Sequence, residues 1–193
     1  MPASVLYMSM SLDGYIAGAN DGPDNPGGDG FGRLHDWLEP AERQSGRARG
    51  PAGDLFDEME ATGAVLVGRR TAEQVDHYKG DHHGVPIFVL SHRPPPPSVT
   101  NYPLVTYVTD GIENAMAQAK TAAGDRNVMV HGAFTAQRAL EAGVLDELQV
   151  HQIPVLLGQG LRMFDVLSSP VELDVVRVID TPAATHIRYR VRR

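Results

Sequence analysis

The chain has 193 residues, of which 42% are hydrophobic and 21% charged, and its formal net charge is −7. These values are ordinary for a globular protein and exclude disordered and fibrous classes, and the length predicts a single domain over residues 1–193. The acidic balance opposes binding to nucleic acid or to an anionic membrane, because both partners need a basic surface. Any cationic site must therefore be local.

The chain contains no cysteine. Disulfides, thiolate metal sites and cysteine nucleophiles are therefore excluded, and a reducing compartment is expected. No run approaches the roughly 18 apolar residues that cross a bilayer, and residues 1–10 lack the basic start and long apolar stretch of a signal peptide. We expect a cytoplasmic protein.

The first third of the sequence predicts one strand and one long loop. Apolar segments at residues 4–10 and 15–17 flank the turn signal Asp13-Gly14, which indicates a strand that bends or bulges near its end. Residues 18–53 are rich in glycine, proline and aspartate, with a short helical turn expected at residues 33–38. Such long loops are usually functional, so we expect a mobile lid.

From residue 54 onward, helical and strand patterns alternate. Helices are predicted at residues 54–61, 71–78, 112–123 and 134–142, and strands at residues 64–67, 86–90, 104–108 and 127–131. This alternation indicates parallel strands joined by crossover helices. Strand patterns at residues 147–153, 175–179 and 186–191 have little helix between them, so they are expected to be antiparallel. The predicted fold is α/β with a mixed, mostly parallel sheet of about eight strands flanked by helices.

Two apolar strands end in basic residues. Gly68-Arg69-Arg70-Thr71 follows the first, and Ser91-His92-Arg93 follows the next. Ligands bind at the carboxyl ends of strands in open parallel sheets, so neighbouring strands would bring both clusters to one ligand edge. Backbone N–H groups at a helix start favour phosphate. The alternative is a solvated arginine pair and an ordinary polar loop.

A third strand ends in His131-Gly132-Ala133-Phe134-Thr135. Gly132 allows close approach of a pyrophosphate, and the Thr135 hydroxyl can cap the helix or bind an oxygen. A tight strand-to-helix turn without a ligand is the alternative. The G-x-G-x-x-G fingerprint of ordinary dinucleotide-binding folds follows no strand in this chain.

Together with Ser11-Leu12-Asp13-Gly14 and Asp146-Glu147-Leu148, these motifs resemble the dihydrofolate reductase superfamily. The branch they are most similar to is the reductase domain of riboflavin biosynthesis, RibD C-terminal-like. The resemblance runs in order over residues 5–190. It implies a dihydrofolate-reductase-like fold, NADPH as the cofactor and assembly as a homodimer.

The resemblance also implies roles for individual cofactor-binding residues. Arg69, Arg70 and Thr71, which follow Gly68, would hold the NADPH phosphates. Ser91, His92 and Arg93 would flank the adenosine ribose and its 2′-phosphate. Gly132, Ala133, Phe134 and Thr135 would hold the pyrophosphate. Ser9, Ile16 and Ala17 would line the nicotinamide.

The substrate side is less determined by the sequence. Asp54 and Asp57 fall where such reductases carry a substrate-binding carboxylate, and Asp36 or a bound water is another proton source. A helix cap or dipole partner is the alternative for Asp54. Trp37 either stacks on a substrate ring or anchors the loop. Adjacent His82 and His83 do not predict a metal site, and His151 and His186, within strand patterns, are expected to be packed or cross-strand residues.

The leading functional hypothesis is an NADPH-dependent reductase that transfers hydride to a small organic substrate resembling a pterin or flavin precursor. The alternative is a non-catalytic NADP(H)-binding or regulatory protein that keeps the reductase fold, and a third hypothesis is a structural oligomer. The expected partners are the small-molecule substrate and a second copy of the chain, with neither nucleic acid nor membrane.

Overall fold

The computed structural model describes residues 2–38, 51–165 and 167–193. In these ranges the strands are β1 (Ser4–Ser11), β2 (Tyr15–Ala17), β3 (Thr62–Gly68), β4 (Ile87–Leu90), β5 (Val105–Val108), β6 (Asn127–His131), β7 (Glu147–Ile153), β8 (Leu161–Arg162), β9 (Leu173–Asp180) and β10 (Thr185–Val191). The α-helices are α1 (Pro51–Glu60), α2 (Arg69–Gln74), α3 (Ile112–Ala123) and α4 (Ala133–Glu141), and short 3-10 segments lie at Phe31–Leu34, Asp76–Gly80 and Pro97–Asn101. None of the helices in the described ranges is long and apolar enough to cross a membrane.

The main sheet has the strand order β5-β4-β3-β6-β1-β7-β10-β9. Its strands from β5 to β7 pair in parallel. β10 runs antiparallel to both β7 and β9. The predicted mixed sheet, mostly parallel with antiparallel C-terminal strands, is confirmed.

The opening strand does not simply bend, as the sequence suggested. β2 leaves the main sheet and pairs with β8, a strand that the sequence analysis missed. The turn between β1 and β2 contains Gly14 at φ 89°, a left-handed conformation that suits glycine. The Asp13 carboxylate accepts hydrogen bonds from the backbone N–H groups of Leu157 and Gly158. This one side chain therefore fixes the β1–β2 turn against the loop before β8.

Helices cover both faces of the parallel strands. On one face α3 buries Ile112, Ala115, Met116 and Ala119, residues spaced three or four apart as expected for one side of a helix. α4 packs on the same face through small side chains such as Ala136. The opposite face carries a separate apolar cluster that includes Ala72 of α2. Coverage on both faces explains why β3 is apolar and buried without alternation.

A third apolar cluster lies beneath α1. Leu55 of α1 is fully buried and belongs to a cluster with Leu34, Ile153 and Ile179. Glu58, also on α1, forms ion pairs with Arg177 and Arg188 of the antiparallel strands. α1 is therefore held on the β9–β10 side of the molecule by apolar packing and by paired charges.

The helix predicted at residues 71–78 is wrong in its second half. α2 ends at Gln74, and Asp76, His77, Tyr78 and Lys79 all have left-handed φ angles between 46° and 55°. Each such L-residue costs about 1–2 kcal/mol. The His77 Nε2 atom lies 2.8 Å from the Tyr107 hydroxyl, one of the tertiary contacts that hold the turn. Local propensity is therefore overridden by packing.

Candidate functional site

A cavity of about 580 Å³ opens at the carboxyl edge of the parallel strands. Its volume is within the roughly 300–1,000 Å³ usual for small-molecule sites. The wall includes the three strand ends that the sequence analysis singled out, at residues 68–71, 91–93 and 132–135, together with Ile16 and Ala17. The structure thus brings all of the predicted cofactor residues except Ser9 into one wall, because β3, β4 and β6 are neighbours that end at the same edge.

Two strand-to-helix turns in this wall pack directly against each other. An added Cβ on Gly68 would lie 2.8 Å from the Thr135 hydroxyl, and one on Gly132 would lie 2.8 Å from the Thr71 hydroxyl. Gly132 also has φ 91°, which disfavours any side chain there. Gly68 therefore leaves space for Thr135, and Gly132 leaves space for Thr71. We call these two packed turns, residues 68–71 and 132–135, the cradle.

The cradle contains a polar atom without a partner. Thr135 is 0% exposed, and its Oγ1 atom has no hydrogen-bond partner among the described residues. A buried hydroxyl of this kind costs free energy unless something pairs with it. The N-terminus of α4 lies beside it, and its backbone N–H groups and helix dipole favour an anion. The arrangement fits a phosphate or pyrophosphate group.

Two arginine side chains of the wall are engaged with carboxylates. Arg70 donates to Asp21 at 2.6 Å, and Arg69 lies 2.6 Å from Glu73. Asp21 also accepts hydrogen bonds from Gln74 and from the Gly27 backbone N–H. Asp21 therefore fastens the segment after β2 onto α2, directly above the cavity. A phosphate reaching Arg70 would compete with Asp21 for its guanidinium group.

A local turn fixes the end of β4, at residues 91–93. The Ser91 hydroxyl accepts from the Arg93 N–H at 3.0 Å and donates to the Arg93 carbonyl at 2.8 Å. Ser91 is buried, whereas His92 and Arg93 are exposed at the rim of the cavity. The turn thus presents an imidazole and a guanidinium group to whatever enters from solvent.

The structure selects one of the two readings of Trp37 and places one predicted cofactor residue, Ser9, outside the cavity wall. Trp37 is only 6% exposed and donates from Nε1 to the Ser9 hydroxyl at 2.9 Å. Its ring packs on His151 and His186, so it anchors its segment to the core and does not line the cavity. Ser9 is equally buried by this contact, and the neighbouring Met8 takes its place in the wall.

The predicted catalytic carboxylates also lie outside the cavity wall. Asp54 and Asp57 are exposed on α1. Asp36 is exposed as well and contacts Arg33 at 3.5 Å. Helix periodicity explains this outcome, because Leu55 and Glu58 face the core and the β9–β10 strands and turn the two aspartates outward. The part of the predicted lid at residues 39–50 lies outside the described residues, whereas Asp21 and Phe31 from its first part line the cavity.

A cluster of rings that the sequence analysis missed lies behind the same wall. The Tyr78 hydroxyl and the His131 Nδ1 atom are 2.8 Å apart, and the His82 ring stands 4.7 Å from the Tyr78 ring, edge to face. Burial lowers the pKa of His131 to about 3 and that of His82 to about 4, and it raises the pKa of Tyr78. All three rings are therefore uncharged near neutral pH. No sequence signal joins them, because Tyr78 and His131 meet only through the left-handed turn.

His151 and His186 occupy a different place, as predicted from their strand patterns. They face each other across β7 and β10, with their Nδ1 atoms 2.7 Å apart. Both are almost completely buried, and burial lowers the pKa of each. Their expected role as packed cross-strand residues is confirmed.

The fold and its cavity define an α/β protein with a phosphate-favouring cradle at the open edge of a parallel sheet. The chain matches the family model of the RibD C-terminal domain over residues 2–186. It therefore belongs to the RibD C-terminal domain family. The resemblance inferred from the motifs is confirmed.

Known proteins of three kinds are similar to this chain. A Shewanella sp. PV-4 structure, provisionally designated a riboflavin biosynthesis protein, is 25% identical with a TM-score of 0.71 over 99% of both chains. The uncharacterized protein YwjB of Bacillus subtilis (strain 168) is 26% identical over 175 residues, which are 88% of this chain and 87% of that protein. Dihydrofolate reductase from Enterococcus faecalis, complexed with NADP(H), is 15% identical with a TM-score of 0.61 over 100% of this chain and 97% of its own. The fold is therefore dihydrofolate-reductase-like.

Proposed function

We propose that the protein is an NADPH-dependent reductase of the RibD C-terminal type. The observation that carries the proposal is a cavity in which the cradle of Gly68 and Gly132 meets the basic strand ends and the Thr135 hydroxyl, which has no hydrogen-bond partner among the described residues. The likeness to a dihydrofolate reductase complexed with NADP(H) supports the same cofactor. When bound, NADPH supplies the hydride, and the protein supplies position and electrostatics.

In this proposal each part of the wall has one task. The cradle residues hold the pyrophosphate, and Arg70 and Arg93 bind the phosphates that carry most of the negative charge. Ile16 and Ala17, which are buried on β2 and line the cavity, lie against the nicotinamide. The small organic acceptor enters beside that ring.

We infer that dihydrofolate is a poor acceptor. A pterin reductase needs a carboxylate that faces the pteridine ring, to bind its pyrimidine and to assist protonation. Asp54 and Asp57, the candidates for this role on α1, lie outside the cavity wall. A small heterocycle or carbonyl compound that does not depend on such a carboxylate suits the cavity better.

Cofactor titration tests the proposal directly. Calorimetry should show tighter binding of NADPH than of NADH, because a 2′-phosphate gains charge-assisted hydrogen bonds from guanidinium groups. Loss of one such bond costs about 1.5–3 kcal/mol, so Arg70→Ala or Arg93→Ala should raise the dissociation constant of NADPH roughly tenfold or more. NADH affinity should change much less.

Arg190→Ala is the matched control. Arg190 is a largely exposed cation on β10, paired with Glu147 and outside the cavity wall, so its loss should leave both affinities unchanged. Equal affinity of the unaltered protein for NADPH and NADH would reject the proposed cofactor. Tight NADPH binding without oxidation by any acceptor would favour the alternative, a non-catalytic NADP(H)-binding protein.

A further inference from the structure

The side of the cavity that β1, β2 and β8 form is apolar. Met8 of β1, Ile16 and Ala17 of β2 and Leu161 of β8 all line it. Phe31 lines the cavity too, and its 3-10 segment packs against β1 and β2. The cationic strand ends belong to β3 and β4, which β6 separates from β1 in the main sheet. Phosphate groups and an apolar group would therefore occupy different parts of the cavity.

Leu161 stands directly beside the proposed position of the nicotinamide. Ala17 and Leu161 are paired residues of the small antiparallel sheet that β2 forms with β8. The proposed function places the nicotinamide against Ala17, so an acceptor beside that ring has Leu161 as a neighbour. Ala17 is 6% exposed, whereas Leu161 is 38% exposed. Part of the leucine side chain is thus open to contact with a ligand.

The backbone on both sides of Leu161 is fixed. A Cβ added to Gly160 would lie 2.0 Å from the Ala17 carbonyl oxygen, so glycine is needed for this close approach of the two chains. On the other side, the Met163 N–H donates to the Gly14 carbonyl at 2.9 Å, and the Met163 side chain is fully buried. These contacts hold the Leu161 side chain at one place in the wall.

Arg162 fixes the opposite side of β8. Its guanidinium group lies over the Tyr15 ring, 4.5 Å from the centroid, and donates to the Asp13 carbonyl at 3.1 Å. Arg162 lies outside the cavity wall, and Leu161 lies in it. Successive side chains of a strand point to opposite sides. The contacts that turn Arg162 onto Tyr15 therefore turn Leu161 toward the cavity.

The chemistry of this side chain defines what it can recognise. Leucine carries no polar side-chain atom, so it offers nothing to the oxygen or nitrogen of a reducible group. Covering its open surface with an apolar group is favourable in proportion to the area that leaves water. Leu161 can therefore distinguish acceptors by their hydrocarbon part and not by the group that is reduced.

We propose that Leu161 is a specificity-determining residue, which contacts the hydrocarbon part of the acceptor and favours acceptors with an apolar ring next to the reducible group. The inference rests on the proposed function, which places the nicotinamide against Ala17. Leu161 takes no part in the transfer of hydride or proton. It selects the acceptor, and the cofactor supplies the chemistry.

The test uses two 1,2-diketones with the same reacting group, 2,3-butanedione and 1-phenyl-1,2-propanedione. The ratio of their kcat/KM values in NADPH oxidation measures the preference for an apolar ring. Leu161→Asn replaces the apolar side chain with a polar one of similar length and should lower this ratio about tenfold, mainly through KM for the phenyl compound. Leu161→Met stays apolar and should retain most of the preference. In both variants the NADPH dissociation constant should stay within about twofold, since its phosphates bind at other strands.

Leu156→Asn is the matched control. Leu156 is a 68% exposed leucine in the segment before β8, outside the cavity wall, so its replacement should leave the ratio unchanged. A readout without turnover uses protein with ¹³C-labelled leucine methyl groups and bound NADP⁺. Addition of 1-phenyl-1,2-propanedione should shift the Leu161 methyl signals through the ring current of the phenyl group, and the Leu156 signals should stay in place.

The outcomes separate this inference from the proposed function. Failure to bind NADPH overturns both. If NADPH binds and the Leu161 methyl signals do not respond to the phenyl compound, or if neither diketone is reduced, the inference alone is overturned. An unchanged ratio in Leu161→Asn overturns it as well. So does an equal loss of kcat/KM for both diketones, because Leu161 would then act through the structure of the site and not through the acceptor's ring.

Discussion

Asp21 joins the segment after β2 to α2 at the wall of the cavity. Its carboxylate is only 8% exposed, yet its partner Arg70 is 62% exposed, so the ion pair joins a fixed acid to a side chain that reaches solvent. Gln74 and the Gly27 N–H complete the contacts of the same carboxylate. Asp21 therefore binds the segment after β2 to α2, and it does so through Arg70, the cation that we propose binds a phosphate.

Replacing Asp21 with asparagine should strengthen NADPH binding. The substitution removes the charge that competes for Arg70 while keeping an oxygen for Gln74 and Gly27. Because Arg70 is largely exposed, the pair should contribute about 0.2–1 kcal/mol, as exposed ion pairs do, and the dissociation constant should fall by up to about fivefold. Calorimetry at low and high salt measures the change. Asp24→Asn, on an exposed residue of the same segment, serves as the control, and an equal gain in both variants would argue against a specific competition.

The comparison of Arg70 with Asp21 shows why the sequence reveals only part of the site. Arg70 follows a long apolar strand, and the carboxyl end of a strand in a parallel sheet lies at a predictable edge of that sheet. Asp21 lies 49 positions away in a loop without periodicity, and only the tertiary fold brings it to Arg70. Trp37 was ambiguous for a related reason, since its burial depends on the facing strands and not on its neighbours in sequence.

At the scale of elements, the left-handed turn after α2 is the feature that departs most from sequence expectation. Residues 71–78 read as one helix because their polar and apolar residues alternate with helical spacing. α3 was predicted correctly because its buried residues recur with helical spacing and the face they form packs on β3 and β4. In the turn, contacts with Tyr102 and Tyr107 from elsewhere in the chain decide the backbone.

Lys79→Gly should therefore stabilise the protein. Lys79 is exposed and has φ 55°. Glycine adopts this angle without the steric cost that a residue with a Cβ atom carries. The greater entropy of glycine in the unfolded chain offsets part of this gain in stability. The net effect should be about 0.5–1 kcal/mol in the free energy of unfolding. Thermal and urea unfolding measure it, with Lys79→Ala as a control that shortens the side chain but keeps the strain. Equal stability of the two variants would show that the turn carries no strain at this residue.

For the whole molecule, the buried histidines make stability depend on pH. Burial lowers the pKa of His151 and His186 below the value of about 6.5 that they have in the unfolded chain. Below that pH the unfolded chain takes up protons that the folded state does not, so stability falls as the pH falls. Each such histidine contributes a slope of up to about 1.4 kcal/mol per pH unit.

Urea unfolding at pH 7.5, 6.5 and 5.5 tests this dependence. His186→Phe should reduce the slope of unfolding free energy against pH, since one buried titrating group is removed, and Thr181 loses its contact with the ring. His83→Gln, at an exposed residue, should leave the slope unchanged. A slope that is the same in all three proteins would contradict the assignment of the acid sensitivity to the buried pair.

The outer surface of the sheet bears on assembly. β9 is an edge strand with Leu173, Val175, Val176 and Val178 exposed. Edge strands with apolar side chains commonly pair with another chain. Formation of a homodimer stays a prediction, and this strand is where we propose that the second copy binds.

The interlocked glycines of the cradle make the effects of substitutions there non-additive. Gly68 has an ordinary φ of −76°, so an alanine at this position meets only the Thr135 hydroxyl. Thr135→Ala removes that atom, which has no hydrogen-bond partner to lose among the described residues, and the double variant should recover most of the stability that Gly68→Ala loses. Gly132→Ala should gain far less from Thr71→Ala, because its φ of 91° remains unfavourable for alanine. The Gly68–Thr135 and Gly132–Thr71 contacts thus differ in their coupling energy, which a pair of double-mutant cycles would measure. During evolution, residues 68 and 135 could therefore change together, while residue 132 would have to stay glycine.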